Sequence, residues 1–352
     1  MDEKRESFLY RLLDAPSPSG FETAGQRVWV DYVEEFADDV RTDAYGNAVA
    51  VYEGGETEVA FTGHADELGF VVTAVTDDGF LRVRPLGGVD RSVTEGTQIT
   101  VHADDGPVNG VVGQTAVHLR DAGEDDPADV IEQHVDVGAE DGEHARELVS
   151  VGDPVTLAAG VHDLAGTRIA GRGLDNRAGS WVAAEALRRA AERGADCTVY
   201  AVNTVQEELG TRGASMVAFD IDPDVALVVD VTHAADNPSY PSDHASEVEL
   251  GGGPTVTRGG ASHPEVARAV REAGDAADVD VQVEAMSTTT GTDADAFFEA
   301  RGGIPTGLVG IPNRYMHTPA EVVDTDDVAD AADLLAAFAV READRESFAV
   351  DV

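Results

Sequence analysis

Only one of the 352 residues is a cysteine, Cys197, and only one is a lysine, Lys4. A single thiol excludes an intramolecular disulfide and a thiolate metal cluster, and it fits a reducing compartment. The first residues, MDEKRESFLY, lack the apolar centre of a secretory signal, and no apolar run approaches the length of a bilayer span. These absences lead us to expect a soluble, cytoplasmic protein. Positive charge is scarce too: 24 Lys and Arg stand against 68 Asp and Glu, for a formal net charge of -44. The acids run through every segment instead of forming a tail. Such a field repels phosphate backbones and anionic lipid, so no nucleic acid or membrane partner is expected. A dispersed acidic surface suits a salt-rich cytoplasm, where screening shortens repulsion to about 3 Å at 1 M. The expectation is a halophile's protein and not a merely acidic mesophilic one.

The chain is long enough for one large domain or two ordinary ones. Residues 4–14 and 21–38 read as helices, the second with Trp29, Tyr32, Val33 and Phe36 on one face. VRTDAYGNAVAVYEG reads as two strands about a turn at Tyr45, Gly46 and Asn47, and EVAFTG as a short apolar strand. Residues 68–170 change texture to short strands and turns, such as FVVTAV, FLRVRPL and QITVHA, broken by one helical stretch, GEHARELV. This is a small β-rich insert. Beyond it helices alternate with strands: NRAGSWVAAEALRRAAERG, CTVYAVNTV, VALVVDVT, HPEVARAVREAG, VDVQVEAM, IPTGLVG and a closing helix, DDVADAADLLAAFAVREA. The alternation predicts an α/β sheet with helices on its faces, formed by residues 1–67 and 171–352 across the insert.

Residues that bind metals recur where these strands end. TGHADELG puts His64 and Asp66 behind one strand, VQEELG puts Glu207 and Glu208 behind another, and VVDVTHA places Asp230 at a third. GLDNRAG sets Asp175 just before a helix, and NRYMHTPAE sets His317 after the strand TGLVG. Open α/β sheets keep their ligands at the carboxyl ends of strands. Singly, each residue has a plain explanation: Asp175 as a helix N-cap, the histidines as loop residues, the glutamates as exposed charge. Together they predict a cluster. Imidazole and carboxylate donors without thiolate suit zinc, with cobalt or manganese as substitutes. Asp175, Glu208 and Asp230 bring three negative charges, which two divalent ions and a hydroxide bring near neutrality. That leaves Glu207 off the metals and free to act as general base.

The ordered segments GHADELG, VGDPVTL, GLDNRAG, VQEELGTRGA, DVTHA, LGGGP, GTDADAF and NRYMHTPAEVVD resemble those of the tetrahedral aminopeptidase family, dinuclear metallopeptidases of the glutamyl aminopeptidase type. The resemblance spans most of the chain. It implies a mixed-sheet α/β zinc-peptidase domain of phosphorylase/hydrolase-like type, with an inserted PDZ-like barrel for dimerisation and a twelve-subunit shell. It also implies two divalent ions, one held by His64, Asp175 and Asp230 and the other by Asp175, Glu208 and His317. Asp66 would then orient His64, Glu207 would be the base, and the Asp175–Asn176 bond falls where relatives have a cis peptide. Ala235 and Asp295 depart from the family pattern.

The function expected is removal of N-terminal residues from short peptides. A dinuclear carboxypeptidase or deacylase is the alternative, and a glycosidase using the paired glutamates or a noncatalytic shell protein stand further off. Arg258, Arg301 and Arg314 would favour an acidic N-terminal residue if they faced the cleft, but each could equally balance local acids. The reading leans to neutral, apolar ones.

Overall fold

A computed structural model describes residues 1–120, 126–241 and 246–352. At its centre Glu58–His64 runs parallel to Thr198–Thr204 on one side and to Val225–His233 on the other. Val225–His233 in turn runs parallel to Thr306–Arg314. These segments are apolar almost without alternation, and every residue of Val225–His233 but the last is buried. Continuous apolar runs of this kind belong to strands covered on both faces. Antiparallel strands extend the sheet outward: Ala48–Tyr52 and Asp39–Thr42 at one edge, Glu321–Asp324, Arg168–Gly171 and His162–Asp163 at the other. With Thr255–Gly259 and Gln282–Met286, which branch from Thr306–Arg314, the sheet has eleven strands.

Successive side chains on a strand point to opposite faces, and each face has its own core. Val59 and Phe61 pack under the helices Glu3–Asp14, Thr23–Val33, Leu174–Glu192, Pro264–Ala277 and Thr325–Glu342, among Trp29, Trp181 and Phe338. Ala60 packs on the other side with Val217, Ile221 and Phe297, from two short helices, Arg212–Ile221 and Asp293–Glu299. Neither short helix stands out in the sequence, and the expected helix over 21–38 stops at Val33, because the chain turns there into the edge strand that begins at Asp39.

Six antiparallel strands, from Gly69–Val75 to Pro154–Leu157, close into a separate barrel. Phe70, Leu81, Ile99, Val101 and Val135 fill it. The molecule is therefore mixed α/β with an inserted barrel, the class expected. Where the chain leaves and re-enters the large sheet, a buried clasp forms. Glu67 accepts hydrogen bonds from the backbone N–H of Ser17 at 3.0 Å and from Arg177 at 3.1 Å, and pairs with Arg172.

Candidate active site

The parallel strands end on one side of the sheet and carry the chemistry there. His64 closes Glu58–His64, Asp230 lies in Val225–His233, and the glutamates follow Thr198–Thr204. Asp175 reaches the same place from the first turn of Leu174–Glu192. This helix lies backbone to backbone on the His64 strand: a Cβ on Gly63 would stand 2.3 Å from the carbonyl carbon of Gly179. With no side chain between them, the helix delivers Asp175 directly beside His64. The Asp175–Asn176 peptide is cis.

Two adjacent glutamates reach one cleft because the backbone is not extended there. Gln206 has φ of 57°, a left-handed conformation that turns the chain off its strand before Glu207. Asp66, fully buried, then fixes both residues: its carboxylate accepts from the N–H of Glu207 at 3.0 Å and of Glu208 at 3.1 Å, and from the Ser19 hydroxyl at 2.7 Å. The same carboxylate stands 3.3 Å from Nδ1 of His64, so Nε2 is turned inward. His317 sits on another left-handed residue, with φ of 64°.

The distances define two groups that share a member. Nε2 of His64 is 3.2 Å from one oxygen of Asp175 and 3.8 Å from Asp230. Nε2 of His317 is 3.3 Å from the other oxygen of Asp175 and 3.7 Å from Glu208. In each group, His64 with Asp175 and Asp230, and Asp175 with Glu208 and His317, the facing atoms all lie within 4.8 Å of one another. Glu207 approaches His64 at 3.9 Å, and the trio of His64, Glu207 and Glu208 meets the same test.

All seven residues picked from the sequence are thus in one place. Glu321 was missed. It is buried, and its two oxygens accept from the N–H of Asp175 at 2.8 Å and of His317 at 2.9 Å, tying two of the gathered residues together. Its only signal was its place four residues after His317. Asp295, the departure from the family pattern, accepts from the N–H of Thr290 and of Gly291 and so shapes a loop that lines the cleft. The other departure, Ala235, donates its N–H to the Val248 carbonyl at 2.7 Å. Arg314 turns away to Asp236 at 2.8 and 2.5 Å, and Arg301 stacks over Phe219.

The electrostatics test whether cations fit. Burial pushes the carboxyls of Glu207, Glu208 and Asp230 above the usual range, and neighbouring acids push them further. Burial opposes charge on His64, yet Asp175 and Asp66 raise it well above its ordinary value. His317 is raised to about 9, chiefly by its hydrogen bond to Asp175. Asp175 and Asp66 are drawn down instead: burial opposes their charge, but the imidazoles beside them outweigh it, both rings at Asp175 and His64 at Asp66. The site holds more negative charge than two imidazoles can balance. Nitrogen and oxygen donors gathered at such spacing, with a charge deficit, fit divalent cations.

A family model for M42 glutamyl aminopeptidase matches residues 46–334. The lysyl aminopeptidase of Pyrococcus furiosus is 35% identical over 325 residues, covering 91% of this chain and 92% of that protein. A TET aminopeptidase from a marine sediment archaeon of the Thaumarchaeota superposes with a TM-score of 0.91 at 30% identity, over 97% of each chain. The Pyrococcus horikoshii TET1 peptidase, which can assemble into a tetrahedron or a large octahedral shell, gives 0.86 at 29% identity over 95% of this chain and 99% of that one. No helix among the described residues is long and apolar enough to cross a membrane. Agreement across nearly the whole length, in sequence and in fold, makes this chain a metallo-aminopeptidase that belongs to the M42 glutamyl aminopeptidase family.

Proposed function

We propose that the enzyme removes N-terminal residues from short peptides at a dinuclear centre, with His64, Asp175 and Asp230 holding one divalent ion and Asp175, Glu208 and His317 the other. The observation that carries this reading is the sharing of Asp175, whose two oxygens face the two imidazoles separately. The ions, zinc or else cobalt or manganese, would polarise the scissile carbonyl and make water a competent nucleophile at neutral pH. Asp66 holds the His64 ring by Nδ1, and Glu321 holds the backbone of Asp175 and His317. Glu207 takes a proton from the attacking water and returns it to the leaving amine. Its fixed N–H, bonded to Asp66, keeps the carboxylate in the cleft. The peptide's free N-terminus binds against the surrounding acids.

The two glutamates are separable by experiment. Glu207→Gln should lower kcat by about 10²- to 10⁴-fold, the usual span for a general base, with metal content intact. Glu208→Gln should lose metal from one site and recover in part when metal is in excess. If elemental analysis and kcat give the opposite pairing, the roles are exchanged.

We also take residues 68–170 as a dimerisation insert on a catalytic domain of 1–67 and 171–352, in a dodecameric, halophilic, cytoplasmic enzyme. The large assemblies formed by TET relatives support the oligomer, and the net charge of -44 supports the salt adaptation. Lowering salt lengthens the screening distance from about 3 Å at 1 M to about 10 Å at 0.1 M. Light scattering across that range should find a large particle that dissociates or unfolds as salt falls. A stable, active monomer throughout would overturn both points.

A further inference from the structure

The cleft that contains the acids and histidines is a cavity of about 240 Å³. Among the described residues no arginine or lysine lines it. One carboxylate in its wall lies outside the group assigned above: Glu284, on Gln282–Met286. The hydroxyl of Thr232, itself buried, donates to one Glu284 oxygen at 2.7 Å. Among the described residues no cation stands within ion-pair distance of Glu284, whereas Asp236, which follows the strand of Thr232, is paired with Arg314. Arg258 does not answer it either. Arg258 lies opposite Ala285 in the parallel pairing and is exposed, whereas Glu284 lies opposite Thr257, so alternation puts the two side chains on different faces.

The cavity wall also has an apolar part. Met286, two residues on and therefore on the same face, lines the cavity with Leu308 and Met316. Thr232 is two residues beyond Asp230 on one strand, a step of about 7 Å. A substrate whose free amine meets the acids at Asp230 thus has its first side chain running along methionine and leucine toward a carboxylate braced for a charge. Lysine and arginine match that outline, with an aliphatic stem and a cation at its tip. A glutamyl side chain would bring a second negative charge to Glu284, and a leucyl one would leave the carboxylate unanswered.

We propose that Glu284, braced by Thr232, makes this enzyme selective for peptides that begin with a basic residue. This replaces the lean toward neutral N-terminal residues drawn from sequence, and it rests on the aminopeptidase reading of the same cleft. The overall negative field draws cationic peptides to every part of the surface, so only a local change tests the claim.

The test compares kcat/KM for lysyl, arginyl, leucyl and glutamyl p-nitroanilides at one fixed salt concentration. The wild type should favour the lysyl and arginyl substrates. In Glu284→Gln the lysyl-to-leucyl ratio should fall by about 10- to 100-fold, the span of a hydrogen bond to a charged group. Thr232→Val should lower the same ratio by less, and Glu284→Lys should move the preference toward the glutamyl substrate. Calorimetric binding of lysinamide against norleucinamide supplies a readout that needs no turnover, and Glu284→Gln should abolish any preference for lysinamide. A wild type that prefers leucyl or glutamyl substrates, or a Glu284→Gln variant that keeps the wild-type ratio, overturns the proposal. Preferential binding of lysinamide without hydrolysis of any anilide would instead support the pocket and overturn the aminopeptidase reading beneath it.

Discussion

His64 and Glu67 are three residues apart, and both are almost completely buried, yet the charge around them is balanced in opposite ways. Glu67 has Arg172 and Arg177 against it, and these two guanidiniums hold its carboxyl below the usual range even though burial alone would raise it. Arg177 is occupied on all sides, donating also to the backbone carbonyls of Leu12, Ala15 and Ala65. Around His64 the acids outnumber the imidazoles, and most are pushed up. Burying charge is costly unless it is paired. The Glu67 system is paired within the chain, and the cluster at His64 is left to be completed from solution. In this pair of neighbours, the acid whose counter-charge the chain itself supplies is a structural part, and the acids around His64 that lack one gather at the candidate metal site.

Removing the counter-charge from solution is the strongest way to break this contrast. Exhaustive chelation should abolish peptide hydrolysis, and zinc, cobalt or manganese should restore it, because only the His64 side depends on added cations. Full activity in a sample shown to be metal-free would remove the distinction. Next in size is the loss of Glu67. Glu67→Ala leaves the buried Arg177 and the partly buried Arg172 without a counter-charge and should cost about 3–5 kcal/mol of stability, read from urea midpoints, whatever metal is supplied. Acid sharpens the same point. Since the folded Glu67 carboxyl lies below its ordinary value of 4.5, its contribution is present above pH 4.5 and is lost as pH falls through the lower folded value. The stability gap between wild type and Glu67→Gln should therefore narrow below pH 4.5. A gap that stays constant with pH would mean that the arginines do not stabilise the ionised form.

The gathered residues were legible because all but Asp175, which stands before a helix, follow apolar runs that read as buried strands, and because their segments keep a family's order. Glu321 was not legible in the same way. What it does depends on two backbone N–H groups, from Asp175 and His317, that meet only in the folded chain. The turn at Gln206 was hidden for a related reason: glutamine carries no mark of a left-handed residue, and the hydrogen bonds from Asp66 hold the glutamates that follow it. Glu284 reads from sequence as one more exposed acid in an acidic chain. What separates it from the rest is its place in the wall of the cleft, with the Thr232 hydroxyl donated to it. In the fold, the helices Arg212–Ile221 and Asp293–Glu299 are too short for their periodicity to emerge, and packing against Ala60, Val202 and Val228 of the sheet decides them.

The insert does not stand clear of the chemistry. A Cβ on Gly87 would come within 3.2 Å of the Glu208 carboxylate, and one on Gly88 within 3.5 Å of the His317 ring. Both glycines follow Phe80–Leu86, a barrel strand. The site is thus assembled from segments spread over most of the chain. His64 leaves the ribosome first, the glycine turn of the barrel follows, and His317 arrives only after most of the chain has been synthesised. Contacts this distant in sequence form slowly and late. A chain that stops short of His317 would lack one histidine of the site and also the strand Glu321–Asp324 and the core helix Thr325–Glu342 that follow it, so site and fold are completed together.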